Sequence, residues 1–192
     1  MSETVKIQST TLLSDNWGKL NKVKYDYQLN DGSWQTQERE VYNRGNGAVI
    51  LLYNKQKATV ILTQQFRLPT WFNGNKDGLM IEACAGIIDE NNPEETIRRE
   101  TEEETGYTIS DVKKIMEVYM SPGSVTEILH FFVAQYSDAM KTSEGGGLEK
   151  EHENIEVLEL YFEEAIRMIA TGEIKDAKTI MLLQYAKING LV

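Results

Sequence analysis

Six glutamates fall within thirteen residues, PEETIRRETEEET, at positions 93–105. Glu100 and Glu104 stand four apart, one helical turn, and Glu103 lies three from Glu100 and beside Glu104. On a helix, like charges at these spacings cost about 0.2–0.5 kcal/mol per pair. They also crowd the C-terminal end, where the helix dipole disfavours anions. Arg98 and Arg99 offset part of the repulsion through Glu102 and Glu103. Two readings stand open on the charges alone. The run is a solvated face, or it is a seat for a hard divalent cation, since Mg²⁺ takes carboxylate oxygens together with water and substrate phosphate. The formal net charge of −10 argues against nucleic acid and anionic lipid as partners, which are gripped by Lys and Arg. An acidic protein still takes an anionic substrate when cations sit between the two.

The capping residues predict a helix over 93–105. Asn92 is a natural N-cap, Pro93 fits the first helical position, Glu95 falls three residues after the cap, and Gly106 is a left-handed stop. Ile97 is the only clearly apolar residue of this helix, so an ordinary core-facing stripe is not expected.

The elements around it read as a mixed sheet with helices on its faces. LMIEACAG (79–86) is a strand leading into the loop before the helix. AVILLY and ATVILTQQF are dense apolar runs about a turn at residues 54–56, the pattern of buried central strands. Further strands are predicted near 112–120, 128–136 and 155–160, and helices near 162–170 and 177–188. Residues 137–153 form a long polar loop with Gly145, Gly146 and Gly147, a length more often functional than filler. Ahead of all this, Val23, Tyr25, Tyr27 and Leu29 alternate along one strand, residues 30–33 turn, and SWQTQEREVY returns. Residues 1–43 are therefore expected to be an N-terminal β extension and residues 44–192 the main domain. No stretch reaches the ~18 apolar residues of a membrane span. The start MSETVKIQST lacks the apolar run of a secretory signal, and one cysteine, Cys84, cannot make an internal disulfide, so a cytoplasmic setting is expected. Cys84 reads as a small buried residue, and His130 in ILHFFV as a core or sheet-face histidine.

The order of residues from Gly86 to Tyr107 resembles the Nudix box. Arg99, Glu100, Glu103, Glu104, Gly106 and Tyr107 fall on its pattern R-E-U-x-E-E-x-G-U, where U is bulky and apolar. Thr101 departs from it, the loop between Gly86 and Arg99 is one residue short, and Asn91 and Asn92 occupy the region of the box's first glutamate. The segments RGNGAVILLYN, QFR, MSPGSVTEILHFFVAQYSD, GGGLEKEHENIEVLEL and GEIKDAKT, with DNW and REVYNRGNG near the start, are similar to one Nudix branch, the GDP-mannose pyrophosphatases. Related ADP-ribose pyrophosphatases share several of them.

That resemblance implies an α/β fold, a Nudix α/β/α sandwich around a mixed β-sheet, with an N-terminal antiparallel sheet that helps build a homodimer. It implies Mg²⁺-dependent hydrolysis of a nucleoside-diphosphate sugar, GDP-mannose to GMP and mannose 1-phosphate. It places Mg²⁺ on Glu100, Glu104, the Ala85 carbonyl and Glu153, with Glu153 as metal ligand or general base and Glu151 as the alternative. It assigns substrate contacts to Arg67, Ala85, Gly86, Ile87, Glu104, Glu127, His152, Glu153 and Lys178. Trp17 is expected to stack on the base or to sit in a dimer core. Glu38, Arg39 and Glu40 are expected to reach into the partner's site. Residues 121–123 resemble a substrate loop. The competing activity is hydrolysis of ADP-ribose or another nucleotide sugar. A non-catalytic nucleotide-sensing Nudix domain, the alternative of a different class, would be expected to lack one of the two metal carboxylates, and both are present.

Overall fold

The computed structural model describes residues 4–88, 92–148, 150 and 153–192. By its contacts the chain divides into two units, residues 1–46 with 119–128, and residues 47–118 with 129–192.

The first unit is built on a three-stranded antiparallel sheet of β1 (Val5–Asp15), β2 (Lys19–Gln28) and β3 (Trp34–Asn43), in that order. The β2–β3 hairpin turns where the sequence predicts, with the Asp31 carboxylate accepting from the backbone N–H and hydroxyl of Ser33. β1 is an element the sequence reading did not find. Its residues VKIQSTTLLSD mix polar and apolar positions without clean alternation, and its ladder to β2 carries two register shifts. The Tyr42 N–H donates to the Ser124 carbonyl at 2.8 Å, tying the segment 119–128 to β3.

The second unit holds the main sheet. Its strands are β4 (Gly47–Asn54), β5 (Thr59–Phe66), β6 (Leu79–Glu82), β7 (Ala85–Ile87), β8 (Val112–Tyr119), β9 (Ile128–Gln135) and β10 (Glu156–Tyr161). The order is β10-β5-β4-β9-β8; β4 and β9 run parallel, while β4 with β5 and β5 with β10 are antiparallel. Helices α1 (Leu68–Phe72), α2 (Pro93–Thr105), α3 (Phe162–Thr171) and α4 (Ala177–Ile188) complete it. α2 packs on β4, β5 and β7, α4 on β4, and α3 on β5 and β10. Ala48, Ile50 and Leu52 join Ile97 of α2 in one core cluster. The intervening Val49 and Leu51 are equally buried, and a strand's alternation turns them to the opposite face. The sheet is thus covered on both sides, the mixed α/β architecture predicted.

One expected strand is in fact two. β4 and β5 pair only over Leu52–Asn54 and Thr59–Ile61. Where they diverge, the chain climbs along β5 as β6, turns at Ala83 and Cys84, and descends along β4 as β7. The Ile50 N–H donates to the Cys84 carbonyl at 3.0 Å and the Ala83 N–H donates to Thr179 Oγ1 at 2.7 Å, so the bend is held from both flanks. Apolar content reports burial; it does not report which neighbour a strand pairs with.

Candidate active site

Helix α2 begins and ends as its capping residues dictate. The Asn92 side chain accepts from the N–H groups of Glu94 and Glu95, both at 2.9 Å, and Gly106 closes the helix at φ 77°. The helix buries a face after all. That face is threonine: Thr96, Thr101 and Thr105 are fully buried beside Ile97. Thr101 and Thr105 donate their hydroxyls to the carbonyls of Ile97 and Thr101, which satisfies them without partners in the core. Thr101, the departure from the apolar box position, therefore still packs inward, its hydroxyl 3.9 Å from the Cys84 sulfur.

This packing brings Glu104 to the bend between β6 and β7. Its carboxylate accepts from the Ala85 N–H at 3.3 Å and from the Cys84 thiol. Only 3% of Glu104 is exposed. Burial pushes its carboxyl up to about 8, and the negative charges of Glu100 and Glu153 act in the same direction. Burial likewise raises Glu100, opposed by the Arg99 guanidinium, which donates to it at 2.8 Å and to Glu103 at 2.8 Å. Burial also pushes the Cys84 thiol well above its ordinary range, which makes it a proton donor and not a nucleophile.

Glu153 enters from the long loop. Its charge acts on both Glu100 and Glu104. Its Oε2 accepts from the Leu148 N–H at 2.9 Å. Gly145, Gly146 and Gly147 all lie at positive φ, and the Glu103 and Glu104 carbonyls accept from Gly147 and Gly146. The loop is thereby fastened to the end of α2. Glu151 and His152 lie outside the described residues. Among the described residues, no three His, Cys, Asp or Glu side chains are gathered closely enough to hold an ion. Glu100, Glu104 and Glu153 are instead each held by a local donor.

Arg67 and Lys178, far apart in sequence, are brought onto one carboxylate that the sequence reading overlooked. Glu82, buried at the end of β6, accepts from Arg67 Nε through Oε2 at 2.6 Å and from Lys178 Nζ through Oε1. Lys178 also meets Asp176, the N-cap of α4, at 2.8 Å. The available signal was an acid inside an apolar strand, IEACA, since a buried carboxylate demands a partner.

The first unit carries the remaining predicted residues. Trp17, in the β1–β2 connection, is 79% exposed. Glu38 on β3 pairs with Lys22 at 2.6 Å. Arg39 and Glu40 line a groove of about 640 Å³, together with Val5, Tyr25, Tyr119 and Pro122. Glu127 is buried and pairs with Arg44 at 2.8 Å. His130 lies on β9, largely buried, its imidazole lowered by burial and by Lys114.

A bent strand thus feeds a glutamate helix whose buried carboxylate returns to the bend. A NUDIX domain model matches residues 43–183, and the chain belongs to the Nudix family of hydrolases. A second model, described as the GDP-mannose pyrophosphatase NudK N-terminal domain, matches residues 4–42. The chain is 51% identical over 192 residues to the GDP-mannose pyrophosphatase of Klebsiella pneumoniae, covering 100% of this chain and 96% of that one. It is 55% identical over 190 residues to that of Pectobacterium atrosepticum, covering 99% and 97%. It is 56% identical over 191 residues to that of Yersinia enterocolitica, covering 98% and 99%. Nudix hydrolases use divalent metal ions. The residues present suit such an ion: a carboxyl driven up to about 8 by burial and by two further carboxylates is what a bound dication relieves. Among the described residues no helix is long and apolar enough to cross a membrane.

Proposed function

We propose that this chain hydrolyses GDP-mannose to GMP and mannose 1-phosphate, as a Mg²⁺-dependent homodimer in the cytoplasm. The observation that carries the substrate is the match along the full length, N-terminal sheet included, to relatives named GDP-mannose pyrophosphatase.

Glu100, Glu104, Glu153 and the Ala85 carbonyl would hold Mg²⁺. When bound, the ion neutralises diphosphate charge and lowers the pKa of a coordinated water. Hydrolysis breaks one P–O bond of the bridge; water supplies the new oxygen and gives up a proton. Where Glu153 serves as the base instead of as a metal ligand, it takes that proton at Oε1, the oxygen left over from its bond to Leu148, and Glu151 is the alternative. Arg67 presents its two terminal nitrogens to the diphosphate, because its Nε is engaged by Glu82. Lys178 adds a second positive charge. Gly86 and Ile87 line the approach to the diphosphate, and Glu127 and His152 contact the substrate. The three-stranded sheet serves as the dimer element, supported by its exposed Val5, Ile7, Leu12, Leu13 and Trp34. Glu38, Arg39 and Glu40 then serve the partner's site, and residues 1–43 form an extension to the hydrolase domain of residues 44–192.

The deciding experiment is a rate comparison of GDP-mannose, ADP-ribose and other nucleotide sugars with Mg²⁺. Highest kcat/KM on GDP-mannose is expected. Faster turnover of ADP-ribose would remove the substrate assignment and leave the metal chemistry in place.

A further inference from the structure

Among the described residues, Glu82 is the most enclosed carboxylate of the second unit that none of the proposed roles employs. Its side chain is 6% exposed, and it is flanked by Arg67, 39% exposed, and Lys178, 14% exposed. An ionised group is buried this deeply only when paired and hydrogen-bonded. Here both oxygens are engaged, one by each cation. The cations come from different elements. Arg67 follows β5, Lys178 opens α4, and Glu82 ends β6 between them. The Thr179 hydroxyl, next to Lys178, accepts from the Ala83 N–H, next to Glu82, so the two elements are also locked through the backbone.

The division of donors carries the argument. Arg67 commits only Nε to Glu82, and its terminal nitrogens have no partner among the described residues. A guanidinium held by Nε is fixed in plane and offers its remaining fork to a second anion. Lys178 commits protons to Glu82 and Asp176, and its point charge is fixed in the same place. Glu82 lies three residues from Ala85, where Glu104 is bound, and three residues of chain span at most about 10 Å.

We propose that Glu82 is a positioning residue: a buried carboxylate that holds Arg67 and Lys178 side by side as one cationic clamp for the substrate's diphosphate. The inference rests on the reading of the site as a diphosphate hydrolase. It is independent of which base or sugar the substrate carries.

The test uses inorganic pyrophosphate with Mg²⁺ as the probe, measured by calorimetry on the full chain, so that failure of the GDP-mannose assignment does not affect it. Glu82→Gln, which keeps shape and removes charge, is expected to weaken pyrophosphate binding about tenfold or more. Arg67→Ala weakens it comparably, and adding Glu82→Gln to an Arg67→Ala/Lys178→Ala variant changes affinity by no more than about twofold, because the positioning residue then has neither cation left to hold. On the nucleotide sugar the wild type turns over fastest, Glu82→Gln raises KM more than it lowers kcat. Wild-type pyrophosphate affinity in a folded Glu82→Gln variant, or a further large loss when Glu82→Gln is added to Arg67→Ala/Lys178→Ala, would overturn the proposal. Should Glu82→Gln not fold, Glu82→Asp decides: its shorter reach releases one cation, and affinity equal to wild type overturns the clamp.

Discussion

The side chain of Glu100 lies across the face of Gly86: a β-carbon on Gly86 would meet Glu100 Cδ at 2.2 Å and Cγ at 2.3 Å. Gly86 is therefore a glycine because the Glu100 carboxylate occupies the space a side chain would need. In Gly86→Ala the flexible glutamate yields, so stability is expected to fall little. Displacing a reacting carboxylate by about 1 Å costs on the order of 100-fold in rate. Turnover in Gly86→Ala should drop by about that factor while the thermal midpoint stays within a few degrees. Unchanged turnover would show that Glu100 need not sit where it does.

Glu104 offers a test in both activity and stability. If Glu104 holds the metal, Glu104→Gln should lose at least about 100-fold in turnover, since it removes the charge and keeps the shape. The sign of the pH effect follows from its raised carboxyl, about 8 in the fold against 4.5 when free. Between those values the metal-free folded state keeps a proton that the unfolded state has released. The stability due to this group is complete below about 4.5 and is lost as pH rises through about 8. Thermal melts of the chelated protein should therefore show the wild type losing more stability than Glu104→Gln as pH is raised across that window. Parallel curves for the two proteins would contradict the burial argument.

How much of this was legible beforehand depends on which physical signal each feature leaves. The ends of α2 were readable because capping is local: Asn92 and Gly106 act on backbone groups within a few residues. The buried face of α2 was not, because Thr101 and Thr105 pack inward with hydroxyls that bond back to carbonyls only the formed helix supplies. β1 was missed for want of alternation. Arg67 and Lys178 were found through the family resemblance, but the residue that joins them was not, because Glu82 belongs to no motif. Its meaning lies in a pairing across 96 residues of sequence. The bend at Ala83 and Cys84 was hidden for a related reason: strand partners are set by the divergence of β4 from β5, which no single segment encodes.

Trp17 separates two expectations for one residue. It is 79% exposed within its own chain, so nothing in that chain's core depends on it. Stacking of a base on an aromatic ring contributes about 1–3 kcal/mol. If Trp17 stacks on the guanine, Trp17→Ala should raise KM about 5- to 100-fold with an unchanged sedimentation profile. If it belongs to a dimer core, the variant should dissociate at dilution instead. Analytical ultracentrifugation alongside steady-state kinetics distinguishes the two.

The last carboxylate is the one that the loop must deliver. Glu153 acts electrostatically on Glu100 and Glu104, and its Oε2 is fixed by the Leu148 N–H. Gly147 lies against it: a β-carbon there would meet Oε2 at 2.5 Å, on a backbone with φ +82°. If Glu153 is the base, Glu153→Gln should lower kcat on the order of 100-fold or more, the usual contribution of a positioned base. Glu151→Gln should then stay within about threefold of wild type. Gly147→Ala should fall between them, because it displaces the glutamate without deleting it. Full activity in Glu153→Gln together with a collapse in Glu151→Gln would transfer the role to Glu151. It would also mean that the bond from Leu148 holds Glu153 for the sake of the loop and not for the reaction.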